Sequence, residues 1–184
     1  MHLFIAISLP TDICLNLRAL CWGLSTASWI NHKNMHVTLR FIGDTSHAAA
    51  NDLDAEFNSF HARAFRMRLS GIGLFTKKDR IKTIWAGIEA NSALSHLHRK
   101  VEQATQRAGF QPQGRKFTPH VTLGRLKTQH VDLRHYFETN GAFRSKSFQV
   151  NYITLFESYS GHGGPHYVAL KKYPLYVPES LYPD

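Results

Sequence analysis

The sequence predicts an α+β fold with antiparallel sheets, built from a duplicated unit, and three observations carry that prediction. Runs of alternating apolar residues, the mark of half-buried strands, recur along the chain. Helical stripes lie among them without the strict strand–helix–strand alternation that a parallel sheet requires. The tetrapeptide His-Val-Thr-Leu occurs twice, at 36–39 and at 120–123, 84 residues apart in a chain of 184. Each copy sits in a β-rich run with a helical pattern upstream, as a duplication leaves it.

Leu3, Ile5, Ile7 and Leu9 alternate with Phe4, Ala6 and Ser8, which predicts a strand with one core face. Pro10, Thr11 and Asp12 open a helix whose stripe is Ile13, Leu17, Leu20 and Leu24. Residues 29–34 read as a loop, and 35–42 as a strand ending at the turn signal Gly43-Asp44. Ala50, Leu53, Phe57 and Phe60 mark a second helix. Strands are predicted over 65–69 and 83–88, joined by a basic loop around 77–80. A third helix covers 92–108, with Leu94, Leu97, Val101, Ala104 and Ala108 as its stripe and Gly109 as its stop. A strand over 117–126 and a short helix over 132–138 follow. Late strands at 148–156 and 167–170 flank the glycine-rich stretch 161–164, which reads as a flexible hairpin loop. No linker or low-complexity segment interrupts the chain, so 1–184 is expected to form a single bilobal domain.

Composition narrows the function classes. The chain is 43% hydrophobic and 12% aromatic, enough for a real core. No apolar run approaches the ~18 residues that span a bilayer. Residues 1–9 lack the basic start and small-residue cleavage site of a signal peptide. Cys14 and Cys21 fall seven apart on a helical pattern, about 10 Å, too far for an unstrained disulfide. Two reduced thiols and a cytoplasmic location are expected. The net charge is +9, with basic clusters at 77–82, 115–116, 125–127 and 171–172. Such a surface attracts phosphate-rich partners, although charge alone does not separate nucleic-acid binding from solubility.

The repeated motif carries chemistry. Residues i and i+2 of a strand share a face, so His36 and Thr38 point one way while Val37 and Leu39 point into a core. His120 and Thr122 repeat the arrangement. Packed about a pseudo-twofold axis, the two halves would turn both pairs toward one cleft. Opening a cyclic phosphate needs one group to take a proton from water and another to give one to the leaving oxygen. Imidazole, with an ordinary pKa near ~6.5, can do either. Threonine hydroxyls can donate to the non-bridging oxygens. One His-x-Thr on a strand is most often structural; two identical tetrapeptides in corresponding halves are harder to dismiss.

On these residues the chain resembles the 2H phosphoesterase superfamily, and within it the RNA 2′,3′-cyclic phosphodiesterase or RNA 2′-5′ ligase family. Leu3-Phe4-Ile5-Ala6-Ile7 is similar to that family's opening strand. Residues 34–43 are similar to its first motif and 117–125 to its second. Leu155-Phe156-Glu157-Ser158, followed by Gly163-Gly164-Pro165-His166-Tyr167, is similar to its closing segment. The position after Met1, commonly arginine in that family, is His2 here.

The resemblance implies two similar lobes, each a mainly antiparallel sheet with helices outside, around a central cleft. It implies metal-free conversion of RNA 2′,3′-cyclic phosphates to 2′-phosphates, reversible as 2′-5′ ligation. His36 would be the general acid and His120 the general base, with Thr38 and Thr122 holding the phosphate. Arg125 matches an arginine that often follows the second motif, but strand parity turns it away from His120 unless the strand ends or bulges at Gly124. Arg40 has the parity to face the cleft beside His36. Phe4 lies opposite Leu3 and Ile5 and could stack a base or simply belong to the core.

No cofactor is expected, and the expected partner is RNA or a nucleotide with a cyclic phosphate, bound by a monomer away from membranes. Twelve histidines invite a metal reading, yet neither His32/His36 nor His162/His166, each four apart, lies on a helix, and His96 and His98 diverge on theirs. His162 or His166 could instead rim the cleft. Two other functions remain open from the sequence: a non-catalytic RNA-end-binding module, and a 2H enzyme for a small cyclic nucleotide.

Overall fold

The computed structural model describes residues 1–78, 80–127, 131–161 and 164–177. The first half comprises β1 (His2–Ser8), α1 (Thr11–Arg18), β2 (Ala27–Trp29), a 3-10 turn at His32–Asn34, β3 (His36–Asp44) and α2 (His47–Asn58). Then come β4 (Phe65–Met67), β5 (Leu69–Lys77), β6 (Arg80–Ile88), α3 (Ser92–Arg107) and β7 (His120–Leu126). The chain closes with α4 (Arg134–Asn140), β8 (Phe148–Val150), β9 (Tyr152–Tyr159) and β10 (His166–Pro174).

Eight strands form one sheet in the order β10-β9-β1-β3-β7-β6-β5, with β2 pairing beside β7; β4 and β8 make a separate ribbon. The pairings are antiparallel, as the sequence predicts. The two predicted halves are visible as β9-β1-β3 and β7-β6-β5. They meet at a narrow join, the pair Val37↔Val121 between β3 and β7.

The core lies on one side of that join. Val37, Leu39, Val121 and Leu123 pack there with Ile13 and Leu17 of α1, Leu53 and Phe57 of α2, and Leu94, Leu97 and Val101 of α3. Burying each such side chain contributes roughly 1.5–3 kcal/mol. The helices have ordinary start and stop devices. The Asn91 side chain accepts from the Leu94 N–H at 3.0 Å to cap α3, and Gly109, at φ +90°, ends the same helix.

Several elements differ from their sequence prediction. β1 buries both faces, because it lies between β3 and β9 and aromatic side chains cover its other side. α1 stops at Arg18, although Leu20 beyond it still reaches the core. β2 forms at the edge of the predicted 29–34 loop. β5 runs through residues 69–77, whose glycines hide its alternation, so the basic loop is the tip of a long hairpin with β6. β7 begins at His120, directly after Pro119, which has no N–H for a ladder.

Candidate active site

The register through Val37↔Val121 builds the site. In an antiparallel pair with those residues opposite, His36 lies across from Thr122 and Thr38 across from His120. All four side chains leave the face opposite the core, and all four line one cleft of about 460 Å³. Two strands with the same tetrapeptide, paired antiparallel, thus bring both motifs together without any loop.

Immediately after each motif the strand bulges at the same position. β1 pairs Ala6 with Thr38 and Ile5 with Arg40, so Leu39 is the extra residue. β6 pairs Trp85 with Thr122 and Ile84 with Gly124, so Leu123 is extra there. An extra residue reverses the alternation that follows it. Phe41 and Arg125 therefore face the cleft. Gly124 is also the place where Trp29 of β2 crosses the strand; a Cβ there would come within 2.6 Å of the indole.

The same bulge removes Arg40 from the cleft, contrary to its parity. Arg40 is buried on the helix side, 6% exposed. Its Nε lies 3.5 Å from Oε2 of Glu102 on α3, and its Nη2 donates to the Gln111 carbonyl. Glu102 also accepts from the Gln113 N–H at 2.8 Å. Arg40 thus ties the first motif's strand to the segment leading into the second motif.

Both imidazoles are held alike. Nδ1 of His36 lies 2.7 Å from the Asn34 carbonyl and Nδ1 of His120 lies 2.7 Å from the Thr118 carbonyl. A carbonyl only accepts, so each Nδ1 carries the hydrogen and Nε2 is left for proton transfer. His36 is the more deeply set. Burial pushes it below the ordinary value of 6.5; its bond to Asn34 offsets part of that, and nearby His120 lowers it further. Burial also lowers His120, against the raising effect of its bond to Thr118. In the free protein each ring therefore favours the neutral form.

Aromatic residues pack around each ring. Phe4 lies 4.9 Å from His36 and Tyr167 meets that ring edge-on at 5.3 Å. Phe75 meets His120 edge-on at 4.7 Å, with Trp85 at 5.9 Å. Phe4 is 3% exposed and stacks on Phe156, so it is core beneath the site rather than a free stacking surface.

Phe75 and Trp85 had no motif to mark them in the sequence, whereas Tyr167 ends the closing segment through which the chain resembles the family. Gly161, Gly164 and Pro165 of the glycine-rich stretch line the cleft, and Asn34 holds it there by donating to the Pro165 carbonyl at 3.1 Å. His2 lines the cleft as well, whereas His166 does not lie among the lining residues and His162 is outside the described residues. No carboxylate lines the cleft among the described residues. Nor do three His, Cys, Asp or Glu side chains converge anywhere among them.

Comparison with known proteins points the same way. The family model of the 2′-5′ RNA ligase superfamily matches residues 22–162. The chain is 32% identical to the RNA 2′,3′-cyclic phosphodiesterase of Aeropyrum pernix over 144 residues, 77% of this chain and 82% of that protein. It is 29% identical to the protein of the same name from Aquifex aeolicus over 154 residues, 80% of this chain and 81% of the other. A crystal structure described as a phosphoesterase superposes with a TM-score of 0.81 at 25% identity, over 95% of this chain and 97% of that one. The E. coli LigT structure complexed with 3′-AMP shares the fold, with a TM-score of 0.80 at 24% identity over 95% and 97% of the two chains. The matched stretch carries both histidine motifs and the strand join that brings them together, and the chain belongs to the 2′-5′ RNA ligase superfamily.

Proposed function

We propose that this protein hydrolyses RNA 2′,3′-cyclic phosphates to 2′-phosphates by metal-free acid–base catalysis with His36 and His120. The observation that carries the reading is the pairing of two imidazoles with two threonine hydroxyls across the Val37↔Val121 join, in a cleft whose described lining holds no carboxylate. The name shared by the relatives supports the substrate class.

The cyclic phosphate sits between the strands, with Thr38 and Thr122 donating to its non-bridging oxygens and Arg125 reaching it from the bulge. Its negative charge offsets the burial of the imidazoles and favours a proton on one of them. Nε2 of His120 takes a proton from water as the water oxygen bonds to phosphorus. The bond to the ribose 3′-oxygen breaks, and Nε2 of His36 protonates that oxygen. The product is a 2′-phosphate with a free 3′-hydroxyl. Replacing water by a 5′-hydroxyl gives a 2′-5′ linkage. Water at ~55 M favours hydrolysis unless the ends are held together.

Wild type, His36→Ala and His120→Ala are incubated with a nucleoside 2′,3′-cyclic phosphate and excess chelator. Wild type is expected to yield the 2′-phosphate, and each variant to be slower by roughly 10²–10⁴-fold. A variant with full rate, or a 3′-phosphate product, sinks the assignment.

A further inference from the structure

Next to the catalytic cleft lies a second hollow of about 370 Å³, sharing Thr38, Phe41 and His120 with it. Phe41, Phe75, Phe117 and His98 give it aromatic walls, and Arg115 and Lys116 bring positive charge to its lining. No carboxylate lines it among the described residues.

Three features make this more than a dent in the surface. Phe41 is 58% exposed, an unusual place for a large aromatic ring, and the bulge at Leu39 brings it to this face. The other rings are held by ring packing. Phe117 stacks on His98 with ring centres 3.8 Å apart and planes within 5°, and Phe75 packs on Trp85 at 5.2 Å. Trp85 in turn lies over Gly73, where any Cβ would overlap the indole. Finally, Arg115 and Lys116 are exposed, and neither has an ion pair or hydrogen bond among the described residues.

Fixed aromatic faces beside unpaired cations are what single-stranded nucleic acid requires. Bases stack without regard to sequence while the backbone phosphates meet positive charge. We infer that this hollow is a second nucleotide subsite, which stacks the base of a nucleotide next to the reacting phosphate and holds its phosphate at Arg115 and Lys116. The inference rests on the cyclic-phosphate reading of the adjoining cleft. Because His120 and Thr38 line both spaces, the occupant is a direct neighbour of the reacting phosphorus. Two strands can supply it: the preceding nucleotide of the cyclic-ended RNA, or the 5′-hydroxyl end of an acceptor strand. The protein would accordingly be built for RNA chains rather than for a mononucleotide.

The test compares kcat/KM for a mononucleoside 2′,3′-cyclic phosphate with that for a tetranucleotide ending in the same group. A parallel arm adds a 5′-hydroxyl tetranucleotide to the mononucleotide reaction, scoring competitive inhibition and 2′-5′ joined product. Wild type, Phe117→Ala and the double variant Arg115→Ala/Lys116→Ala are compared. In the first arm, a preference of about 5-fold or more for the tetranucleotide that falls toward unity in the variants places the preceding nucleotide in the hollow. In the second, inhibition or joining that the variants lose places the acceptor there.

Binding of a fluorescein-labelled, non-cyclic oligoribonucleotide is measured by anisotropy with the same proteins, so the subsite is scored even without turnover. Weakening by about 5-fold or more in the variants is expected. Equal treatment of both substrates by wild type, with no effect of the acceptor, overturns the subsite; so does oligonucleotide binding that the variants leave unchanged. Absence of turnover on both cyclic substrates, with oligonucleotide binding that the variants weaken, counts against the catalytic reading and leaves the subsite standing.

Discussion

His36 and His120 are equivalent in sequence but not in setting. Both donate Nδ1–H to the carbonyl two residues back, which fixes the tautomer, and both lie below the ordinary imidazole range through burial. Catalysis by one neutral and one protonated ring peaks between the two free-enzyme values. Since burial moves both below 6.5, the kcat/KM optimum is expected below pH 6.5, falling at higher pH as the imidazolium is lost. The kcat optimum should lie higher, because the bound phosphate anion favours the protonated ring. Initial rates from pH 4.5 to 9 check this, and a kcat/KM optimum above pH 7.5 contradicts it. Arg125 and Arg40 make a second residue-scale contrast. Arg125→Ala should raise KM with little change in stability, because the side chain is exposed at the cleft. Arg40→Ala should destabilise the fold by about 3 kcal/mol, since it removes a buried side chain that donates to the Gln111 carbonyl and leaves half-buried Glu102 without its cation. Urea unfolding and substrate titration separate the two outcomes.

Among the elements, the strand after each His-x-Thr motif decides which side chains reach the cleft. A bulge after Thr38 and another after Thr122 exchange the residues at motif positions five and six, so Phe41 and Arg125 are delivered to the cleft while Arg40 and Gly124 turn inward. The bulges are legible only in the pairing partners, because the extra residue is identified by the strand it skips on. β2 shows the same dependence. Its three residues, Ala27–Trp29, have no pattern of their own, yet Trp29 lies over Gly124 and Ile30 donates to the Leu123 carbonyl at 2.8 Å, clamping the second bulge. The basic run that looked like a loop is the tip of a hairpin whose aromatic residues Phe75 and Trp85 pack against His120.

At the level of the whole molecule, two halves share one core across a narrow strand join. The join offers little hydrogen bonding, so packing beneath it must hold the halves together. Thermal unfolding should accordingly be one transition, the same by tryptophan fluorescence and by far-UV circular dichroism. Val37→Ala and Val121→Ala should each lower stability by roughly 2 kcal/mol without creating a second transition. Two separate transitions would instead mean lobes that fold alone. Within the described residues, no helix is long and apolar enough to cross a membrane.

The sequence by itself determined the fold class and the four residues of the repeated motif. Those rest on short-range periodicity: alternation puts His36 with Thr38 and His120 with Thr122, and repetition marks the halves. Tertiary structure decided the rest. It set the register that faces the motifs across Val37↔Val121, the bulges that admit Arg125 and exclude Arg40, and the packing of Phe75, Trp85 and Tyr167 against the imidazoles. The physical reason is common to all three. Which way a side chain points beyond an irregularity depends on the partner strand, and a partner more than 30 residues away along the chain leaves no mark in the local pattern.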